Sequence, residues 1–293
     1  MSVSSASVSC EDQILRSLDR LPPFSPILNR LMASLASEEV SFGDLAALIE
    51  KDTVVAGNVL RVVNSALYGL PGTVSSVRHA VAILGLNKLR NVVMGMSISR
   101  VWRGVRTPEG WSAARFNTHS VATAILADLL AQKLPVPYPE GAFVAGLLHD
   151  LGKLLIAISI PRELGLIQAL FQTGDVALEE CETQIIGTTH SALSGLALRR
   201  WNLPQPIQNA VTFHHAPAQA NGGQLDLSHV VEAADQLAID LGHSSSEPGH
   251  SPQGRSEALL AALGLSDQVP ELVAQFGQPL KGALVGRIGE SGE

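Results

Sequence analysis

The stretch Gly146-Leu-Leu-His149-Asp150-Leu-Gly152-Lys153-Leu-Leu-Ile156 constrains the fold more than any other, because it sets an adjacent imidazole and carboxylate inside an apolar helical run. A carboxylate sunk among Leu and Ile is strongly unfavourable unless it is hydrogen-bonded, paired or bound to a cation, so Asp150 must have a partner. On a helix His149 and Asp150 project about 100° apart, and Lys153 lies one turn on from both. Such neighbours can serve as ligands for one or two metal ions, or as a hydrogen-bonded core pair. Further donors recur in helical segments at His119, His190, His214-His215 and Asp235. Nitrogen and oxygen donors with no thiolate suit a divalent Fe, Mn, Ni, Zn or Mg ion rather than a soft metal. His190, ringed by Ile185, Ile186, Leu193 and Leu196, can equally be a satisfied core histidine.

Apolar residues elsewhere follow the helical period. Ile27, Leu28, Leu31, Met32 and Leu35 form one stripe, and Leu45, Leu48 and Ile49 another; Val121, Ala124, Ile125 and Leu129 make a third around His119. No alternating pattern of strand length occurs, so the fold class is all-α. Asp52 is placed to cap a helix running to about Asn64, and Gly85 interrupts the next one. Glu140 opens a helix expected to run unbroken through His149-Asp150 until Pro161 stops it, and a long helix is expected from about Leu178 to Trp201. Asp235 lies on a helix from Leu227 to Leu241. The organisation read from these signals is a disordered Ser-rich leader over 1–11 and a helical domain over 12–242. Within that domain the loop near 104–110 divides 12–106 from 107–242. A linker over 243–255 follows, with His243 and His250 expected in solvent, and then a short helical tail over 256–293.

Composition narrows the function classes. At 46% hydrophobic residues the chain can bury a sizeable core, and Cys10 and Cys181 form neither a disulfide framework nor a thiolate site. The first ten residues have no basic start and apolar centre, and no run of about 18 apolar residues is evident, so a cytoplasmic protein without a membrane span is expected. The net charge of −7 argues against general affinity for nucleic acid, yet residues 53–108 contain no Asp or Glu and carry Arg61, Arg78, Lys88, Arg90, Arg100, Arg103 and Arg106. That segment is a candidate surface for an anionic partner. The break at Ala82–Asn87 admits two readings, a nucleic-acid-binding helix-turn-helix or a plain helix corner.

The order of His119, then His149-Asp150 with Gly152-Lys153, then Asp235 resembles the HD superfamily of metal-dependent phosphohydrolases. The run Ala142–Leu154, Trp201-Asn-Leu-Pro204, His214-His-Ala-Pro217 and the upstream Asp52, Leu60–Ser65 and Ala80–Gly85 series resemble its HDOD branch, over roughly residues 20 to 242. The resemblance implies two packed helical subdomains and metal ligation by His119, His149, Asp150, His190, His214, His215 and Asp235. It also implies a bridging role for Asp150 and a phosphate contact for Lys153, the two candidate catalytic residues. HDOD proteins resemble output modules of bacterial signalling, so a regulatory module that docks a partner protein or a nucleotide is the leading expectation. A phosphohydrolase or phosphodiesterase acting on a nucleotide or cyclic dinucleotide is the alternative, and a nucleic-acid-binding regulator the third. Two departures from the related HD-GYP phosphodiesterases imply weak or absent cyclic di-GMP hydrolysis: Arg115 stands one turn before His119, and no Gly-Tyr-Pro follows His215.

Overall fold

The structure, a computed structural model, describes residues 9–35, 42–64, 73–174, 176–245 and 254–279. Among the described residues there are helices and no strand. The N-terminal half comprises α1 (Cys10–Arg16), α2 (Pro26–Ser34), α3 (Phe42–Glu50), α4 (Thr53–Val63), α5 (Val77–Leu84) and α6 (Leu86–Arg103). Asp52 caps α4 as its sequence position predicts, its Oδ1 accepting from the Val54 and Val55 amides at 3.1 and 3.0 Å. Asn64 exchanges two hydrogen bonds with the Val74 backbone and so ties the two ends of the 65–72 segment together.

Between α5 and α6 the chain turns through 117° at Gly85, whose φ of 75° is open to glycine without strain. The corner is a packing device. Leu89, Val93, Met94 and Ile98 of α6 are fully buried, and Arg90 turns inward to donate to the Glu140 carbonyl at 3.2 Å. A helix buried on this scale cannot lie in a DNA groove, and Arg90 leaves the basic surface assigned to it. Burial lowers its pKa, only partly offset by Tyr138, Glu140 and Asp128.

The second half comprises α7 (Ala113–Ala131), α8 (Ala142–Leu148), α9 (Leu151–Ser159), α10 (Pro161–Phe171), α11 (Leu178–Ile186), α12 (His190–Arg200), α13 (Gln205–Thr212) and α14 (Leu227–Asp240). Beyond it lie α15 (Arg255–Ala262) and α16 (Val269–Pro279). One hydrophobic core runs through both halves, from Ile14 to Phe276, and each fully buried Leu or Ile in it contributes about 2 kcal/mol. Helix α7 packs along α8 and α14, α12 along α9 and α13, and α6 against α7 and α8. Helix α1 lies on α9 and α12, and Arg200 of α12 donates to the Leu15 carbonyl at 2.9 Å.

Four expectations require correction. The leader is shorter than 1–11, because Ser9 caps α1 by accepting from the Asp12 amide; residues 1–8 lie outside the described set. The helix expected from 140 to 160 is interrupted, α8 ending at Leu148 and α9 starting at Leu151. The His149 ring donates from Nδ1 to the Gly146 carbonyl at 2.8 Å, the acceptor that a continuing helix would offer to the Asp150 amide. The stretch Pro139–Ser159 is nonetheless apolar and long enough by composition to cross a membrane, and it is 89% buried inside the protein. The helix expected over 178–201 is two helices, divided by Gly187 at φ 75° and restarted by Thr189, whose hydroxyl accepts from the Ala192 amide. The linker begins later than 243: the His243 amide bonds to the Ala238 carbonyl and its ring packs edge-on against Phe276. His250 lies outside the described residues.

Candidate metal centre

Five structural elements deliver the polar side chains to one point. His119 comes from the middle of α7, His149 and Asp150 from the break between α8 and α9, and His190 from the first turn of α12. His214 and His215 follow the end of α13, and Asp235 is on α14. Two glycines let these backbones approach. A Cβ on Gly146 would lie 2.8 Å from the Thr123 carbonyl oxygen, and one on Gly152 would lie 2.0 Å from the His190 carbonyl oxygen. The first brings α8 onto α7, and the second brings α9 onto α12.

All seven residues expected as metal ligands are gathered. His119 Nε2 lies 3.2 Å from His149 Nε2, 3.3 Å from Asp150 Oδ2 and 3.1 Å from Asp235 Oδ1. His149 Nε2 is 3.4 Å from Asp150 Oδ1 and 3.6 Å from Asp235 Oδ1. On the other side of Asp150, Oδ1 is 3.4 Å from His190 Nε2 and 3.9 Å from His214 Nε2, while His190 Nε2 is 3.0 Å from His215 Nε2. Asp150 therefore stands between two donor groups, His119, His149 and Asp235 on one side and His190, His214 and His215 on the other. His119, His149, Asp150, His190 and His214 are at most 1% exposed.

The tautomers decide what these contacts are. Carbonyl oxygens only accept, so the Nδ1 atoms of His119, His149 and His214 must be donors to His243, Gly146 and Val211 at 2.7, 2.8 and 2.7 Å. In the neutral rings each Nε2 is then a lone pair, and all three lone pairs face one another and two carboxylates. Asp150 Oδ1, Asp235 Oδ1 and His214 Nε2 are buried with no hydrogen-bond partner among the described residues. A buried set this rich in acceptors needs positive charge, which a proton on His119, the Lys153 ammonium or a bound cation can supply. Outer hydrogen bonds that fix the inward nitrogen are how metal-ligating imidazoles are held, so the residues fit a divalent ion.

Protonation follows the same logic. Burial lowers the His119 pKa, but the carboxylates of Asp150 and Asp235 outweigh it and hold the imidazolium up to about 9. Burial raises the Asp150 carboxyl, and His149 and Lys153 overcome that to keep it well below the usual carboxylate value. Asp235 is likewise held low, by His119 and His149 against burial. Burial, then the neighbouring His215, His149 and His190, drives His214 well below an ordinary histidine, leaving a neutral base at neutral pH.

The second donor group has acidic support that the sequence reading missed. Glu182 receives both the His190 backbone N–H and its Nδ1–H, each at 2.8 Å to Oε2, which turns His190 Nε2 toward Asp150. Glu179, one turn earlier on α11, lies 2.7 Å from His215 Nε2; burial would raise its pKa, but the His215 hydrogen bond holds it at about 2. His215 is thus a shared neighbour of His190 and Glu179 and the most exposed member of the set. The available signal was the spacing of Glu179 and Glu182, three apart on an amphipathic helix eight residues before His190. Ser245, inside the expected linker, also contacts Asp150 Oδ2, at 3.3 Å.

Lys153 donates to Asp150 Oδ2 at 2.7 Å; burial lowers its pKa and Asp150 more than restores it, so it stays charged. Lys153 also lines a cavity of about 250 Å³ walled by Trp111, Phe171 and Gln168, with Arg115 and Glu182 as the rest of its charged lining. Arg115, a guanidinium and so no metal ligand, lines the same cavity as Lys153.

An all-helical bundle that assembles His119, His149-Asp150 and Asp235 in this way is an HD-type domain. The family model described as HDOD domain matches residues 21–217, and the chain belongs to that family. The fold is shared with the crystal structure of an HDOD domain protein from Geobacter sulfurreducens, 24% identical, at a TM-score of 0.75 over 92% of this chain and 96% of that one. It is shared too with a protein from Shewanella amazonensis SB2B provisionally named a phosphohydrolase, 23% identical, at a TM-score of 0.72 over 92% and 98% of the two chains. A curated relative from Treponema pallidum (strain Nichols), carrying the name "Uncharacterized protein", is 24% identical over 200 residues, which are 68% of this chain and 38% of that protein. The chain thus spans well under half the length of that curated relative.

Proposed function

We propose that this HDOD domain is a signal-transduction module whose core holds divalent metal and whose adjoining cavity takes a phosphorylated ligand. The observation that carries the proposal is the inward set of ring nitrogens: three buried imidazoles whose Nδ1 atoms are committed to carbonyls turn Nε2 toward Asp150 and Asp235. His119, His149 and Asp150 would hold one ion, with Asp235 beside His119 and His149 as a further ligand, and Asp150 with His190, His214 and His215 a second. The chemistry such an ion would supply when bound is Lewis-acid polarisation of a phosphoryl oxygen and a lowered pKa of water there. The chain's own groups do the rest. Lys153 and Arg115 would present positive charge to the phosphate, Glu182 orients His190, and Trp111 and Phe171 give the cavity an aromatic wall.

Phosphate-ester hydrolysis is the second reading, and the cationic pair beside the centre favours it. The volume of about 250 Å³ suits a phosphate with a small appendage better than a whole cyclic dinucleotide. Metal analysis of untagged protein after reconstitution with Mn, Fe, Ni and Zn tests the first reading. We expect at least one ion per chain, lost in Asp150→Ala. Metal-free wild-type protein after reconstitution with all four would sink it. A screen for phosphate release from nucleotides and cyclic dinucleotides, with the same variant as control, decides between sensing and turnover.

A further inference from the structure

A second cleft lies away from the metal centre, where α4 and α6 meet the loop before α2. Its volume is about 700 Å³, within the range of sites that hold nucleotide-sized ligands. Helix α4 contributes Val54, Val55, Asn58 and Arg61, one stripe at helical spacing. Helix α6 contributes Met96, Ser99, Arg100 and Arg103 from one face, with Ser97 and Val101 from the next. Pro22 and Pro23 close one end, and Asn117 of α7 reaches it from the second half of the protein.

The charge of the cleft is one-sided. Arg61, Arg100 and Arg103 line it with no carboxylate partner among the described residues, whereas Arg78 has Glu50 at 3.8 Å and Arg90 is buried against Glu140. The one acid in the lining, Asp52, already accepts two amides at the start of α4. Three guanidinium forks around one cavity match phosphate oxygens in geometry as well as sign. Ser97, Ser99 and Asn117 add polar residues to the lining, though their side-chain oxygens are themselves buried behind it. Pro22, Pro23, Val54, Val55, Met96 and Val101 supply apolar surface that a bare polyanion would leave idle.

We propose that this cleft is a binding site for a nucleoside phosphate, with Arg61, Arg100 and Arg103 on the phosphates and the Val, Met and Pro walls against the base. The site is separate from the metal centre and needs no ion there in order to bind. ATP, pyrophosphate and adenosine serve as probes, titrated calorimetrically into the full chain in EDTA. ATP should bind at one site, weaken as salt is raised, and lose at least about tenfold in affinity when Arg61, Arg100 and Arg103 are changed together to Gln, with an unchanged melting temperature. Asp235→Asn, which alters only the metal centre, should leave ATP binding intact, and adenosine alone should bind far more weakly. No ATP binding at millimolar concentration, binding unaffected by the triple change, or binding lost in Asp235→Asn but kept in the triple variant would each overturn the site. Pyrophosphate binding as tightly as ATP would overturn the nucleoside assignment.

Discussion

Gly152→Ala adds one methyl group, and the structure states what it meets. The new Cβ would lie 2.0 Å from the His190 carbonyl oxygen, 2.7 Å from its carbon and 2.8 Å from its Cα. These are backbone atoms, with no flexible side chain to swing aside. Reaching even 3.0 Å requires α9 and α12 to part by about 1 Å. Their junction is also fixed by polar contacts, for the Gly152 amide donates to Ser194 Oγ at 2.7 Å and that hydroxyl donates to the His190 carbonyl at 2.8 Å. Overpacking of a tight core contact costs about 1 to 3 kcal/mol, and a backbone collision with two strained hydrogen bonds belongs at the upper end or above. Urea unfolding of metal-free protein should therefore show a loss of about 3 kcal/mol, with a melting temperature lower by about 6 °C or more. The same displacement carries His190 away from Asp150, so the second ion should weaken before the first, read as a fall from two ions toward one per chain. Gly165→Ala, where nothing lies within 4 Å of the new methyl, is the control and should be neutral or slightly stabilising. Wild-type stability and metal content in Gly152→Ala would refute the claim that this glycine sets the α9–α12 approach.

Metal-free protein should be most stable near pH 6.5. His119, with a folded pKa raised to about 9, contributes stability that is complete below its unfolded value and lost as pH rises through 9, about 3 kcal/mol in all. Asp150 and Asp235, with lowered folded values, contribute above about pH 4 and lose it in acid, and His214 resists protonation below about 6.5. Melting temperatures in EDTA should fall between pH 6.5 and 9, with Mn²⁺ removing that decline; a flat or rising EDTA profile would contradict it. Glu182→Gln should weaken metal binding by about 10- to 100-fold with the fold retained, because it frees the His190 ring rather than removing it; calorimetric titration with Mn²⁺ measures this. Arg90→Ala should cost about 2 kcal/mol in urea unfolding, whereas Arg103→Ala should stay within about 0.5, since only Arg90 is buried and bonded across the two halves.

The helical class and the gathering of the seven histidine and aspartate side chains were legible because both have strong local signals. Apolar residues at helical spacing name the buried faces, and a His-Asp pair in an apolar run demands compensation wherever it folds. The breaks in the helices were less legible. At 149–150 a side chain takes the carbonyl that a continuing helix needs, and at Gly187 one αL residue divides two good helical stretches; periodicity carries no trace of either. Arg90 reads as surface charge in one dimension because its neutral acceptor, the Glu140 carbonyl, is 50 residues away and invisible to charge counting. Glu179 and Glu182 look like an ordinary solvated helix face until α11 is laid beside α12. His243 was misplaced for the opposite reason: its linker-like neighbours concealed a backbone carbonyl that orients His119.

Helix α7 looks into three chambers within five residues. Arg115 and His119, one turn apart, share the face toward the small cavity and the metal centre, and Asn117, on the other face, reaches the arginine-lined cleft. A helix is stiff along its axis, so a ligand that rotates α7 on one side must move groups on the other. Thermodynamic reciprocity then fixes the exchange: whatever factor a nucleoside phosphate in the cleft applies to the affinity of the His119 centre for its ion, the ion applies to the nucleoside phosphate. One turn of one helix would make this domain a comparator of two chemical signals, with no need for a hinge between its halves.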